Sequence, residues 1–292
     1  MAELLIFGAG YTGLAIAAEA ARRGISVAIT SRRVPVLPKG VTCVKFDQAG
    51  PAIAEARFLL STAAPADDSD PVLARWSTEI AAAPAIWRGY LSATGVYGNR
   101  DGGWVDEDSP PRMDSSRAAR RVAAEQAWMT IAAGRPLDII RLAGIYGPGR
   151  SALDEVRAGR ARRVVKPGHA FGRIHRDDIA AGVLAAIAHP PAGTRILNFA
   201  DDLPTESAVV LTEAARLLGR KPPPEVSFET AWRGMSDMAR SFWADNRRVR
   251  ADKTKAALGL SWRYPTYVEG LAAILAEESG GGAQQKGDIL PA

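Results

Sequence analysis

The sequence predicts an α/β protein that contains a doubly wound parallel sheet and a smaller, mostly helical C-terminal lobe. Short apolar runs alternate with longer helical patterns through the first half of the chain. After about residue 147 the pattern changes to helices with few strands. Strands separated by helical segments indicate βαβ units, so helices are expected on both faces of the sheet.

The elements follow one another in a regular order. Strands are predicted at residues 4–7, 27–29, 41–46, 57–61, 86–92 and 137–142, and helices near residues 12–23, 71–83 and 115–133. Residues 195–199 look like one more strand of the same sheet, so the lobes are expected to interleave. The predicted units are a sheet domain (1–146 with 174–200), a smaller lobe (147–173 with 201–278) and a flexible tail (279–292).

The composition is typical of a globular protein. Its 292 residues are 47% hydrophobic and 24% charged, with a formal net charge of +5. The arginines occur in pairs without a long basic run or a nucleic-acid-binding motif, which favours solvated helix faces over a nucleic-acid surface. The first residues lack a basic leader, and no apolar run near them reaches the ~18 residues that cross a bilayer. A cytoplasmic protein without membrane contact is expected, and the sequence does not predict its oligomeric state.

The single cysteine, Cys43, excludes an internal disulfide. It lies in an apolar stretch without a nearby Cys or His cluster, so no metal site is expected. The same stretch predicts that Cys43 is buried.

The strongest motif is a glycine-rich turn, GAGYTG at residues 8–13, between the first strand and an alanine-rich helix. Gly8 permits the tight turn, Gly10 lets the backbone approach a pyrophosphate, and Gly13 allows close packing of helix and strand. The helix N-terminus offers free N–H groups to phosphates. This context predicts a Rossmann-type dinucleotide site that includes Tyr11 and Thr12, the alternative being a glycine turn without a ligand.

The end of the second strand bears on the choice of cofactor. A free ribose 2′-hydroxyl usually meets an acidic residue there, about 20 residues after the glycines. This strand ends instead in Ser31, Arg32 and Arg33. A hydroxyl and two guanidiniums suit a 2′-phosphate, because arginine makes charge-assisted, bidentate bonds to phosphate. NADP is favoured over NAD, unless both arginines are ordinary exposed loop charges.

Four further motifs follow the glycine turn in order. They are Phe46-Asp47, LSATGVYG at 91–98, RLAGIYGPG at 141–149 and IHRDDIA at 174–180. Together they span most of the chain, which resembles the extended, or atypical extended, short-chain dehydrogenase/reductases of the NAD-dependent epimerase/dehydratase group. The resemblance implies that Asp47 meets the adenine, that Ala63 and Pro65 line the cofactor, and that Tyr146 begins a loop beside the nicotinamide. Taken alone, Asp47 is equally an ordinary turn carboxylate.

The catalytic part departs from that family. Its usual centre is a Ser or Thr four residues before the Tyr of Val-Tyr-Gly, plus a Tyr-x-x-x-Lys whose Lys lowers the pKa of the Tyr. Counting back from Tyr97 reaches Ala93. Alignment of the long helix on Glu125 puts Arg121 at the Lys position and Arg117 at the Tyr position. Arginine stays protonated and cannot exchange a proton near neutral pH, so the relay is absent in this register.

Two interpretations of this helix face stand equally. Arg121 pairs with Glu125 while Arg117 is solvated, or the arginines bind an anion or the ribose hydroxyls. Thr94 and Ser92 flank the vacant hydroxyl position. Thr94 is a weak substitute, because adjacent strand residues point to opposite faces.

Few other titratable groups are candidates. Tyr97 and Tyr146 are the substitute acids near the cofactor mouth, although both also fit a packing role. His169 is expected at the surface, His175 beside carboxylates that cap a helix, and His189 at a helix end.

Two function classes follow. The first is an NADP-dependent oxidoreductase or epimerase-like enzyme with an altered acid–base group, acting on a small molecule that is anionic or a sugar nucleotide. The second is a catalytically inactive dinucleotide-binding sensor or scaffold. The fold does not choose between them, because function depends on the site.

Overall fold

A computed structural model describes residues 2–33, 35–66 and 69–284, apart from the side chains of Met238 and residues 280–284. The strands are β1 (Leu4–Phe7), β2 (Val27–Ser31), β3 (Val41–Lys45), β4 (Phe58–Ser61), β5 (Trp87–Ala93), β6 (Trp104–Val105), β7 (Leu137–Leu142), β8 (Gly144–Tyr146), β9 (Arg163–Val165), β10 (Arg173–His175), β11 (Thr194–Phe199), β12 (Glu225–Ser227) and β13 (Arg248–Val249). The helices are α1 (Tyr11–Arg22), α2 (Gly50–Glu55), α3 (Pro71–Ala82), α4 (Ser116–Ala132), α5 (Ala152–Arg157), α6 (Arg176–Ala188), α7 (Ser207–Leu217), α8 (Phe228–Gly234), α9 (Asp237–Ala244), α10 (Asp252–Leu258) and α11 (Tyr267–Gln284).

Seven strands form one parallel sheet in the order β11-β7-β5-β4-β1-β2-β3. The chain runs from β1 outward to β3 and then crosses to β4 on the other side. This reversal is a topological switch point, and ligands bind beyond the carboxyl ends of the strands at such points. The predicted doubly wound α/β fold is confirmed.

The sheet is covered on both faces. Leu4 and Ile6 enter one apolar cluster while Leu5 and Phe7 enter another, and all four are fully buried. Strands with two buried faces are continuously apolar rather than alternating, which explains the uninterrupted runs in the sequence. A third cluster in the C-terminal lobe includes Leu153, Leu211 and Leu271.

Later segments of the chain return to the sheet. Helix α6 packs against α1, and β11 forms the edge of the sheet beside β7. From the later part of the chain, Val249, Leu258 and Trp262 join the same apolar cluster as β1. The proposed domain boundaries stay a prediction, since residues 249–262 contribute to the core around the sheet.

Most strands and helices lie within one or two residues of their predicted bounds, and β1 and β7 match them. Sequence patterns did not indicate α2 or the paired short strands β6 with β13, β8 with β10, and β9 with β12. Segments of two to six residues are too short to show a helical or alternating period.

Some expectations need correction. Cys43 is exposed, because β3 is an edge strand in which only Val41 is buried. Phe46 begins a 3₁₀ turn instead of ending the strand. The last helix continues past residue 279 to Gln284, and Ser279 donates its hydroxyl to the Leu275 carbonyl, 2.8 Å away. The remainder of the predicted tail, 285–292, lies outside the described residues. Within the described part, none of the helices has the length and apolar character needed to span a bilayer.

Candidate functional site

The glycine turn joins β1 to α1, and its three glycines differ in what surrounds them. Gly8 has φ +115°, and a Cβ there would lie 2.6 Å from the Thr62 hydroxyl oxygen. A Cβ on Gly13 would lie 2.1 Å from the Gly8 carbonyl oxygen, whereas one on Gly10 would meet nothing within 4 Å. Gly8 and Gly13 are therefore required by packing, while Gly10 leaves open space at the N-terminus of α1.

The adjoining strand ends surround this space. The Thr62 hydroxyl, just after β4, lies 3.1 Å from the carbonyl oxygens of both Phe7 and Gly8, so β4 supports the turn. Ala63 and Pro65 follow in the same loop and are half-buried. Asp47 is exposed in the 3₁₀ turn after β3.

Ser31 ends β2 and accepts a hydrogen bond from the Arg33 N–H at 3.2 Å. The side chains of Arg32 and Arg33 are exposed, and neither forms an ion pair within the described residues. Their guanidiniums are thus available to an anion at the edge of the turn.

A second feature of the site is a cavity of about 610 Å³. It is lined by the ends of β5 and β7, the loop that leads to α5, and parts of α4, α7, α9 and α11. Arg150 on its wall stacks on the Tyr11 ring at 5.7 Å, and the Tyr11 hydroxyl donates to the Pro148 carbonyl at 3.0 Å. These contacts link the cavity to the first residue of α1.

The cavity is rich in arginine. Three carboxylates line it together with six guanidiniums: Arg117, Arg121, Arg150, Arg160, Arg173 and Arg247. Sequence reasoning missed Arg247, which comes from the segment after α9, because its proximity to α4 depends on tertiary structure. Among the described residues, no group of three His, Cys, Asp or Glu side chains is arranged to hold a metal ion.

Glu125 does not pair with Arg121. Its carboxylate lies 2.8 Å from Arg141 of β7 and accepts the Ser92 hydroxyl at 2.5 Å, with all three residues buried. One of the two interpretations, an Arg121–Glu125 pair within the helix, is therefore wrong. Glu125 lies on the buried face of α4 and pairs with Arg141 of the sheet. Arg121 instead donates to the Tyr90 hydroxyl at 3.0 Å.

Thr94 is better placed than the alternation argument predicts. Strand β5 ends at Ala93, and Thr94 begins a 3₁₀ turn, so the alternation of faces does not extend to it. Ala93 and Thr94 both line the cavity. Within the described structure the Thr94 hydroxyl has no hydrogen-bond partner, whereas that of Ser92 is bound to Glu125.

The two candidate tyrosines occupy different environments. Tyr97 is fully buried, donates its hydroxyl to the Asn198 side-chain oxygen at 2.8 Å, and does not line the cavity. Tyr146 does line the cavity and is 7% exposed. Burial, followed by the nearby carboxylates of Asp201 and Asp178, raises the pKa of Tyr146, so its phenol remains protonated. Its hydroxyl donates to the Thr266 carbonyl, 3.4 Å away.

His169 is buried, contrary to the surface position expected. Its ring stacks on Trp243 at 5.2 Å and meets Phe171 edge-on at 4.8 Å. Burial, with smaller contributions from Lys166 and Arg247, lowers its pKa to about 4. His169 is therefore neutral at physiological pH.

The other histidines belong to α6. The His175 ring nitrogen Nδ1 accepts from the Asp177 N–H at 3.2 Å, so an imidazole caps this helix where a carboxylate was expected. Asp178 accepts instead from the backbone N–H groups of Arg263 and Tyr264. His189 is at the C-terminal end of α6, as predicted.

The chain is similar in sequence and structure to several known proteins. No family model matches the chain. A functionally unknown conserved protein from Silicibacter pomeroyi is 39% identical in sequence; the match covers 95% of this chain and 99% of that one, with a TM-score of 0.86. Protein YeeZ of Escherichia coli K12 is 27% identical over 179 residues, which are 60% of this chain and 58% of YeeZ. A dTDP-L-rhamnose 4-epimerase from Burkholderia thailandensis is 26% identical over 170 residues, 52% of this chain and 43% of the epimerase.

Two more distant structures share the fold. MoeE5, in complex with UDP-glucuronic acid and NAD, is 18% identical with a TM-score of 0.79, over 96% of this chain and 99% of MoeE5. Human epimerase family protein SDR39U1, with NADPH, is 18% identical with a TM-score of 0.75, over 94% and 99% of the two chains. The chain is thus similar in fold to NAD-dependent epimerase/dehydratase and short-chain dehydrogenase/reductase proteins.

The chain carries Ala93, Arg117 and Arg121 on the cavity wall. Counting back from Tyr97 puts Ala93 at the Ser position of the family that the sequence resembles, and the alignment on Glu125 puts Arg117 and Arg121 at its Tyr and Lys positions. The wall therefore presents guanidiniums and a methyl group, and its hydroxyls come from neighbouring positions such as Thr94 and Tyr146.

Proposed function

We propose that the protein is a cytoplasmic enzyme that binds NADP(H) at the glycine turn and acts on an anionic small molecule, such as a sugar nucleotide, in the adjoining cavity. It would be an oxidoreductase or epimerase with an altered acid–base group. The observation that carries the proposal is the open space at Gly10, together with the contacts of Tyr11 to Arg150 and Pro148, which connect the glycine turn to the wall of the arginine-lined cavity.

The residues present fit a dinucleotide. Open backbone at Gly10 and the N-terminus of α1 suit a pyrophosphate. Ser31, Arg32 and Arg33 would bind the 2′-phosphate, and Asp47 the adenine, with Ala63 and Pro65 along the cofactor. The structures of MoeE5 with NAD and of the human protein with NADPH support this class of cofactor.

A bound nicotinamide supplies a hydride donor or acceptor. The unpaired Thr94 hydroxyl would contribute a hydrogen bond to the substrate oxygen, and the neutral Tyr146 phenol would do the same by exchanging its bond to the Thr266 carbonyl. Arg121 would bind an anion or the ribose hydroxyls through its guanidinium N–H groups.

The test is NADP(H) turnover against sugar nucleotides and small carbonyl compounds. If the Tyr146 hydroxyl donates a hydrogen bond to the reacting oxygen, Tyr146→Phe should lower kcat by about 10²–10³-fold, because only the hydroxyl is removed. Cofactor affinity should be unchanged, and the buried Tyr97→Phe serves as the matched control. Full activity of both Tyr146→Phe and Thr94→Val would contradict these assignments.

A second function, an inactive sensor or scaffold, is favoured by Ala93, Arg117 and Arg121 at the relay positions. It predicts NADP binding with no turnover of any compound in the panel.

A further inference from the structure

We infer that Arg117, Arg121 and Arg247, here called the arginine cluster, form a recognition site for a carboxylate or phosphoryl group of the substrate. The inference rests on the proposed function in taking the cavity as the substrate site. It adds the position and chemistry of one substrate group and assigns a role to Arg247.

The cluster surrounds the carboxyl end of β5. Arg121 lies 3.3 Å from the Leu91 carbonyl oxygen, and Arg247 donates to the Gly98 carbonyl at 3.1 Å. Both arginines are thereby fixed to backbone at the edge of the sheet where ligands bind in this fold.

Arg117 is held without using its N–H groups. Its guanidinium lies 4.2 Å from the centre of the Phe242 ring on α9, a cation–π contact. No hydrogen bond or ion pair of Arg117 is present among the described residues, so its five N–H donors face no protein acceptor.

The positive charge of the cluster is not balanced. Asp245 pairs with Arg247 at 3.1 Å, and in the described structure Arg117 and Arg121 have no carboxylate partner. Partial desolvation, followed by the charges of Arg121 and Arg247, lowers the pKa of Arg117, and Asp245 offsets only part of this effect, so both neighbouring guanidiniums repel that of Arg117. An anion bound between them would relieve this repulsion and accept several charge-assisted hydrogen bonds.

The remaining arginines of the cavity are less suited to this role. Arg173 donates to the carbonyl oxygens of Phe171 and Thr205, and Arg150 stacks on Tyr11. Asp154 and Glu155 line the cavity near them. With Arg160 included, this part of the wall carries a net charge of +1, whereas the arginine cluster with Asp245 carries +2, so the larger excess charge lies at the arginine cluster.

Calorimetric titration with inorganic phosphate and with acetate tests the inference. We expect Arg117→Gln and Arg247→Gln to weaken binding of the preferred probe at least tenfold, because each removes a charged donor. Arg117→Lys should retain part of the affinity. Arg160→Gln is the matched control, since Arg160 is also exposed, lines the cavity, and has no ion pair in the described structure.

The preferred probe distinguishes a phosphoryl from a carboxylate substrate. All titrations use a Gly10→Val, Arg32→Ala, Arg33→Ala background, which is expected to remove the pyrophosphate and 2′-phosphate sites of the glycine turn. Failure of both probes to bind, or equal affinity of Arg117→Gln and Arg160→Gln, would overturn the inference. NADP(H) affinity, measured separately in the unsubstituted protein, shows whether the proposed function fails independently.

Discussion

The glycine turn after β1 and the wall at the end of β5 lie on the same edge of one sheet, yet they differ in what fixes their residues. Gly8 and Gly13 contact other backbone or side-chain atoms so closely that any side chain would clash. Ala93, Arg117 and Arg121 border an open cavity. Packing therefore preserves the family pattern at the turn, whereas the cavity wall can change its chemistry without loss of the fold.

Substitution at Gly10 should have the largest effect on ligand binding, because it fills the predicted phosphate site without a clash inside the protein. Gly10→Val should abolish dinucleotide binding while the protein stays folded, because its side chain would enter the space predicted for the pyrophosphate. Calorimetry with NADP(H) and circular dichroism measure the two effects. Gly13→Ala should instead destabilise the fold, since its Cβ would lie 2.1 Å from the Gly8 carbonyl oxygen. Dinucleotide binding by a folded Gly10→Val protein would show that the turn is not the phosphate site.

The buried ion pair between Glu125 and Arg141 fixes part of α4 against the sheet. Glu125→Leu should lower the free energy of unfolding by about 3–5 kcal/mol, because it leaves the Arg141 guanidinium buried without its partner. Chemical denaturation measures this change. The control Glu213→Gln removes a more exposed pair with Arg216 and should cost less than about 1 kcal/mol. Equal costs would mean that the buried pair does not set the register of α4.

The architecture could be predicted because its signals are local. Continuous apolar runs mark β1 and β7, and the glycine turn marks the first βαβ unit. Partners distant in sequence could not be predicted in the same way. Helical spacing suggests Arg121 as the partner of Glu125, but only the folded sheet brings Arg141 to it.

The same limit applies to the site. The glycines and Arg32 follow from a motif, whereas Arg247 and Phe242 reach the cavity through tertiary packing of α9 and the segment after it. His169 follows a Pro-Gly turn and was expected in solvent. Aromatic side chains of Phe171 and Trp243 enclose it, and one of them lies 74 residues along the chain.

His169 provides a test on the cavity side that does not need a substrate. Its pKa is about 4 in the folded protein and about 6.5 when unfolded, so between these values the unfolded state binds one more proton. This contribution destabilises the protein as pH falls, reaching about 3 kcal/mol near pH 4. His169→Phe, which retains an aromatic ring, should therefore show a weaker loss of stability than the wild type between pH 6.5 and pH 4. Denaturant midpoints measured across this range give the difference, and parallel curves for the two proteins would place His169 in solvent.

The smallest effect is expected at the edge of the glycine turn, where the sequence departs from the acidic residue typical of NAD binding. Arg32→Ala should weaken NADP(H) binding by about 1.5 kcal/mol, roughly tenfold, through loss of one charged hydrogen bond. The effect should be at the low end for such bonds, because Arg33 lies beside Arg32 and remains available to the phosphate. NAD(H) affinity should not change, since NAD(H) lacks the 2′-phosphate. Calorimetry with both cofactors compares the two losses, and Arg57→Ala, at an exposed position at the other end of the sheet, is the control. An equal loss for both cofactors would mean that Arg32 contacts a part of the dinucleotide that NAD(H) and NADP(H) share. Tighter binding of NAD(H) by the wild type would reverse the cofactor assignment and leave the role of Gly10 unchanged.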